Sequence, residues 1–331
     1  MLKIALIDDY AHVALASADW HRLDGKAEVD VFDAHLTEEE AAGALAPYDV
    51  LCTIRERMAL PRTLIERLPN LKLVTIVGGR LTNLDLDAAT ERGVIVCHSG
   101  MRGPALANLG AATPELTWGL VIATVRDIVG QDRRMRDGLW QDRVGMVLAG
   151  RTLGLVGLGR IGKQMAKYGK AFGMEVIAWS QNLTAEAAAA EGVRRVEQDE
   201  LFALSDVVSI HVILSGRTRG LVTARELGLM KPTAFLINTS RGPIVVEQDL
   251  IAALRNGVIA GAGLDVFDQE PPAPDHPLRS LDNVTLTPHL GYATAETLAA
   301  FYSDSLEAIE AFAGGAPIRV SNPEALNRAA S

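Results

Sequence analysis

The sequence predicts an α/β protein of two domains, one inserted into the other, each built on a parallel sheet covered by helices. Three observations carry this expectation. Short runs rich in Val, Ile and Leu alternate with helix-like segments along nearly the whole chain. Runs with so little polar alternation are those of strands buried on both faces, and repeated strand–helix–strand units imply parallel pairing. Two long helix-like stretches flank a central α/β block, as they would if the block were inserted into the other domain. A chain of 331 residues also matches two domains of about 150 residues each.

Taken in order, strands are expected at residues 4–7, 29–32, 50–54, 71–77 and 94–97. Thr37 followed by Glu40 is a capping box and starts the first clear helix. The Gly-, Ala- and Pro-rich stretch 102–114 (RGPALANLGAATP) reads as a boundary loop, with one helix from Glu115 to about Asp137 after it. Six further strands are expected at 152–156, 175–179, 207–212, 234–238, 263–266 and 284–287. Residues 247–255 place apolar side chains at helical spacing ahead of Gly257, and a last helix is expected over 293–312. The expected partition is 1–103 with 293–331 in one domain and 104–292 in the other.

Composition narrows the functional classes. Hydrophobic residues make up 48% and charged residues 22%, which sets aside disorder and collagen-like repetition. A net charge of −9 argues against nucleic acid as a partner. The basic run DRRMRD at 132–137 reads as a solvated helix end. Two cysteines, Cys52 and Cys97, provide neither a disulfide framework nor a cysteine-rich zinc site, and no metal is expected. The N-terminal MLKIALIDDY reads as a strand rather than a secretory signal. No apolar run reaches the ~18 residues of a membrane span, so the expected location is cytoplasmic.

Gly157-Leu-Gly159-Arg160-Ile161-Gly162 fits G-x-G-x-x-G. With 30 glycines in the chain the pattern alone is weak, but a strand runs into it and a helix runs out. Gly157 would permit the tight turn, Gly159 would let a pyrophosphate approach the backbone, and Gly162 would pack helix on strand. An acid is usual at the end of the next strand, for the adenosine ribose. Here Ser180 stands in that place, and no Arg follows at once, so the cofactor is open between NAD and NADP.

Downstream lie N-T-S-R-G at 238–242, G-L-D-V-F-D-Q-E-P-P at 263–272 and T-P-H-L-G at 287–291. Each sets a titratable or charged residue beyond the C-terminal end of an expected strand, where open α/β sheets bind ligands. In this combination, order and spacing, residues 45–312 resemble the D-isomer-specific 2-hydroxyacid dehydrogenases. The group includes D-3-phosphoglycerate dehydrogenase, glyoxylate/hydroxypyruvate reductase and D-lactate dehydrogenase. The stretch VGGRLTNLDLDAATERG at 77–93 resembles that family's substrate-domain signature.

The resemblance implies two Rossmann-like domains, a cofactor domain inserted into a flavodoxin-like substrate domain, and a homodimer formed through the cofactor domain. It implies reduction of a 2-keto acid to a D-2-hydroxy acid, or the reverse. His289 would be the acid/base, Glu270 its partner that orients the ring and favours its protonated form, and Arg241 the grip on the substrate carboxylate. Arg160 and Ile161 would face the pyrophosphate. Thr239, Asp265 and the backbone near Gly291 would line the nicotinamide end, with His211 close to the cofactor. Arg55, with Arg57 nearby, and the amides of Gly78 and Gly79 would bind the acidic substrate, with Arg80 and Arg102 adding charge. Trp140 resembles an aromatic that reaches toward the partner subunit.

Each residue alone has a plainer reading: a structural histidine, a loop carboxylate, a surface arginine, a core tryptophan. His98 and His276 read as loop residues. The stretch 101–112 reads as a longer loop than the family's usual one, and Pro114 as part of a helix's first turn. No separate regulatory domain of the kind some phosphoglycerate dehydrogenases carry at the C-terminus is expected. Glu270 also stands where the formate dehydrogenase branch has glutamine. The alternative function is a nucleotide-sensing, corepressor-like interaction protein on the same scaffold, since such proteins can keep the triad.

Overall fold

The structure is a computed structural model that describes residues 1–54, 57–77, 81, 83–99 and 104–327, without the side chains of 104–109. Its strands are β1 (Leu2–Leu6), β2 (Ala27–Val31), β3 (Val50–Thr53), β4 (Leu73–Ile76), β5 (Ile95–His98), β6 (Thr152–Val156), β7 (Glu175–Trp179), β8 (Arg194–Arg195), β9 (Val207–Ile210), β10 (Phe235–Asn238), β11 (Gly261–Leu264) and β12 (Val284–Leu286). Its α-helices are α1 (Glu38–Leu45), α2 (Arg62–Ile65), α3 (Leu86–Glu91), α4 (Pro104–Val125), α5 (Ile128–Arg136), α6 (Arg160–Ala171), α7 (Ala185–Ala190), α8 (Gln198–Leu204), α9 (Ala224–Leu229), α10 (Glu247–Arg255) and α11 (Ala295–Ala313). The chain divides into two compact units, Met1–Asn108 with Thr294–Ser331, and Leu109–Ala293.

The first unit holds a five-stranded sheet in the order β2-β1-β3-β4-β5, parallel throughout. That is the flavodoxin-like order, with its switch point between β1 and β3. β3 and β4 are buried at every residue, in keeping with sequences that hold one threonine each among apolar residues. The capping box forms: Thr37 Oγ1 accepts the Glu40 amide and Glu40 Oε2 accepts the Thr37 amide at 2.8 Å. The C-terminal segment completes this unit. α11 packs on β4, Val320 bridges Cys97, and Asn322 Oδ1 accepts the Val96 amide at 2.8 Å while its Nδ2 donates to the Val94 carbonyl at 2.9 Å.

The second unit holds a seven-stranded parallel sheet in the order β8-β7-β6-β9-β10-β11-β12, which is the Rossmann order with one strand more. Alternate residues feed two cores. Ile177, Val208, Leu236 and Ala262 pack on one face, and Val176, Val207 and Ile237 on the other. The switch point lies between β6 and β9. The glycine loop leaves β6 there, and His211 lies just past the end of β9.

Four expectations are corrected. The stretch 102–114 is not a loop where it is described: α4 begins at Pro104 and runs 22 residues with Pro114 inside it. The proline that suits a helix start is Pro104, whose missing N–H is an orphan there anyway. Pro114 costs the helix one bond, but the surrounding Ala- and Leu-rich sequence favours helix, and Thr117 Oγ1 donates to the Thr113 carbonyl at 2.7 Å one turn further on. The single helix expected over 115–137 is two helices, broken where Asp127 takes a left-handed conformation (φ 50°). β8 escaped notice because it is two arginines long, and β11 starts two residues early because small residues, Gly261 and Ala262, form its first half.

Candidate active site

The residues proposed for catalysis and cofactor binding in the second unit lie beyond the C-terminal ends of its strands, or on the helix that follows. Gly157 follows β6 with φ 105°, and a Cβ there would sit 2.9 Å from the carbonyl carbon and oxygen of His211. Glycine is therefore dictated by both conformation and space. Gly159 is the N-cap of α6, has no side chain to satisfy the first amides, and faces open space. Arg160 and Ile161 open the helix; Arg160 is exposed and Ile161 half-buried. A Cβ on Gly162 would lie 2.1 Å from the Gly157 carbonyl, so this residue lets helix and strand close on each other. Uncapped amides at an open, positively polarised helix end fit a pyrophosphate.

Ser180 follows β7 directly, half-buried, its carbonyl taken by the Leu183 amide at 3.0 Å. His211 donates its amide to Val156 at 2.8 Å, and its Nε2 lies 2.9 Å from Ser209 Oγ. Burial pushes this imidazole down to about 3. It is thus a neutral ring at working pH.

Asn238, the last residue of β10, pins the turn that carries Arg241. Its Oδ1 accepts the Ser240 amide at 3.0 Å, and its Nδ2 donates to the Arg241 carbonyl at 3.0 Å. Arg241 Nη1 donates to the Ser240 carbonyl at 2.5 Å. Thr239 is buried, 2.7 Å from Thr117 Oγ1. Thr117 gives its own proton to Thr113, so Thr239 donates to Thr117 and keeps its acceptor lone pairs available. Neither Thr117 nor Thr113 was singled out from sequence: a threonine inside a helical apolar run has no local signature.

Asp265 follows β11 and is fully buried. Its Oδ1 accepts from Thr287 Oγ1 at 2.6 Å and from the Leu290 amide at 2.7 Å, and its Oδ2 accepts from the Gly291 amide at 2.9 Å. Burial raises this carboxyl above the usual range, while those bonds and the neighbouring His289 pull it back. The Gly291 carbonyl in turn accepts Thr113 Oγ1 at 2.8 Å. The T-P-H-L-G turn is therefore clamped from both sides, and within it His289 is held in the left-handed region at φ 51°, its amide directed at the Asp265 carbonyl at 2.9 Å. A bulky residue keeps such a conformation only where its surroundings over-determine it.

The structure brings His289 and Glu270 together. His289 Nδ1 lies 2.5 Å from Glu270 Oε2, with 18% and 24% of the two side chains exposed, respectively. Glu270 Oε1 accepts the Phe267 amide at 2.9 Å. With Nδ1–H committed to the carboxylate, Nε2 is the nitrogen left to exchange a proton. Tyr292 lies edge-on to the ring at 5.7 Å.

Arg55, Gly78 and Gly79 lie outside the described residues, as do Arg80 and Arg102. Arg57 is described: it donates to the Asp8 carbonyl and lies over the Tyr10 ring at 5.0 Å. His98 is a strand residue rather than a loop residue, paired with Ser321 at 3.1 Å. His276 caps a short 3-10 helix. Trp140 is 76% exposed, which excludes the core reading for it. Among the described residues no three His, Cys, Asp or Glu side chains gather as metal ligands, and no helix is long and apolar enough to cross a membrane.

Comparison with known proteins decides the family. Residues 118–291, more than half of the chain, match the NAD binding domain of the D-isomer specific 2-hydroxyacid dehydrogenases. The chain belongs to that family. The glyoxylate reductase of Aeropyrum pernix is 39% identical over 287 residues, 81% of this chain and 84% of the relative. The D-3-phosphoglycerate dehydrogenase of Methanocaldococcus jannaschii is 38% identical over 299 residues, 89% of this chain but 54% of the relative, so the chain spans about half the length of that relative. Among solved structures, a phosphoglycerate oxidoreductase of Vibrio cholerae O395 superimposes with a TM-score of 0.88 at 33% identity, covering 96% of this chain and 100% of the other. The family supplies the cofactor class, a nicotinamide dinucleotide, and the glycine loop fits it.

Proposed function

We propose that the protein interconverts a D-2-hydroxy acid and its 2-keto acid. The observation that carries this reading is the His289–Glu270 pair at 2.5 Å, set on the same C-terminal sheet edge as the glycine loop. The bound dinucleotide supplies or accepts the hydride at the substrate's C2. His289 holds its exchangeable proton at Nε2 and delivers it to the carbonyl oxygen as C=O becomes CH–OH, then recovers one from solvent; oxidation runs the same steps backward. Glu270 holds the ring and balances the imidazolium charge. Arg241 receives the carboxylate in its planar fork and steadies charge developing on the oxygen. The family resemblance assigns Arg55 and the amides of Gly78 and Gly79 to substrate binding as well.

Ser180 puts no carboxylate against a 2′-phosphate, so both NADH and NADPH are expected to serve. A homodimer is supported by the apolar side chains that residues 128–147 leave in solvent, including Ile128, Val129, Leu139, Trp140, Val144 and Val147. Two free, buried cysteines accord with a cytoplasmic location.

The test is oxidation of NADH and NADPH against glyoxylate, hydroxypyruvate, pyruvate, 2-oxoglutarate and phosphorylated hydroxypyruvate. Turnover of any of them is the expected result. Silence across the panel, with tight nucleotide binding, would overturn it in favour of a nucleotide-sensing interaction protein.

A further inference from the structure

A second histidine–carboxylate pair lies next to the first. His276 Nδ1 accepts the Leu278 amide at 3.3 Å, so Nε2 bears the proton of the neutral ring and donates it to Glu247 Oε1 at 3.0 Å. Both side chains are largely covered, at 15% and 14% exposed. The other oxygen of Glu247 accepts the Asp268 amide at 3.2 Å, one residue beyond the Phe267 amide that Glu270 accepts. The His276 ring lies edge-on to Phe267 with centroids 6.5 Å apart. On the opposite side, Gly242 packs so tightly on the Phe267–Asp268 peptide that a Cβ there would lie 2.1 Å from the Phe267 carbonyl.

We propose that Glu247 and His276 form a positioning pair that sets where the Glu270 carboxylate meets His289. The peptide of Phe267 and Asp268 is gripped by two carboxylates through successive amides, one reaching out of α10 and the other belonging to Glu270. Glu270 uses one oxygen on Phe267 and the other on His289. Any drift of that peptide is therefore passed directly to the pair at 2.5 Å. His276 holds Glu247 by its proton and Phe267 by its ring, and Arg279 anchors the intervening chain by donating to the Pro272 and Ala273 carbonyls at 3.0 Å each. Asp268 and Arg219 are the other charged groups facing this cluster. Neither residue of the pair touches reacting atoms. The proposal rests on the acid/base reading of His289 and Glu270.

The test is a pH titration of the His289 ring by histidine-selective NMR on the full chain without substrate, alongside the pH profile of kcat for the best 2-keto acid of the panel. His276→Leu keeps bulk against Phe267 and loses the proton to Glu247. The expected result is that the His289 titration moves in the same direction as in Glu270→Gln, and that kcat falls about tenfold or more with the dinucleotide KM unchanged. His276→Gln can still donate to Glu247 and should restore the titration. In the double variant with Glu270→Gln, the His276 change should add nothing further. A wild-type His289 titration in folded His276→Leu, or additive shifts in the double variant, would overturn the proposal. If His276→Leu does not fold, Glu247→Gln is held to the same outcomes. Failure of the functional reading shows separately, as an absence of turnover while the ring titration still responds.

Discussion

Glu270 divides its two oxygens between a main-chain amide and a histidine: Oε1 takes Phe267 N–H at 2.9 Å and Oε2 meets His289 Nδ1 at 2.5 Å. Glutamine at 270 keeps the shape but removes the charge and directs an NH2 at one of those two partners. Glu270→Gln is therefore expected to move the pH dependence of 2-keto acid reduction to lower pH and to lower kcat by about a hundredfold. Rates across pH, measured for both proteins, check this, and superimposable profiles would count against the pair.

Arg241 sits on a turn that Asn238 pins through two hydrogen bonds of its own, so the turn keeps those bonds when the Arg241 side chain and its bond to the Ser240 carbonyl are removed. Arg241→Ala should lower kcat/KM for the keto acid by about 10²–10³ while dinucleotide affinity, read by nicotinamide fluorescence, stays at the wild-type value. Arg241→Lys should recover little, because an ammonium cannot present two parallel donors.

Gly159 and Gly162 separate binding from folding. A methyl on Gly159 meets open space and one on Gly162 meets the Gly157 carbonyl at 2.1 Å. Gly159→Ala should keep the wild-type Tm and weaken the dinucleotide. Gly162→Ala should lose about 1–3 kcal/mol of stability. Thermal melts with and without NADH tell the two effects apart.

His211 makes a prediction about acid stability. Its folded-state value is pushed down to about 3, whereas an unfolded imidazole titrates near ~6.5. Between these values the unfolded chain binds the extra proton, so stability is full above ~6.5 and falls as pH drops toward 3. His211→Asn removes that contribution. Its Tm should fall less steeply than the wild type's between pH 7 and pH 4, and parallel curves would mean the ring is not held neutral.

Much of this architecture is legible in the sequence because parallel strands buried on both faces are made of near-continuous apolar runs with little polar alternation. Val50–Thr53 and Val207–Ile210 announce themselves in that way, and the glycine loop is legible because its spacing is set by sterics that only glycine satisfies. What escaped notice depends on partners distant in sequence. Nothing near Thr117 shows that Thr239 lies 2.7 Å away, and nothing near His276 marks Glu247 as its acceptor. Pro114 misled because a proline's local effect was weighed without the Ala- and Leu-rich helix around it. The two arginines of β8 join the sheet edge through their backbone, which side-chain polarity does not reveal.

The tail that staples β5, through Asn322 and Val320, leaves the order of synthesis and the order of completion at odds. Residues 109–293 leave the ribosome as a self-contained unit before the first sheet has received α11 or its Asn322 bonds. The third of the molecule made first thus waits for the helix that packs on β4 and for the tail that bonds β5 until the chain has been extended by nearly two hundred residues. N-terminal domains usually fold first during synthesis; here the nucleotide-binding unit can finish ahead of the one that precedes it. A released chain truncated just after residue 293 would carry a complete Rossmann unit and an unfinished first sheet, a species exposed to chaperones and proteases.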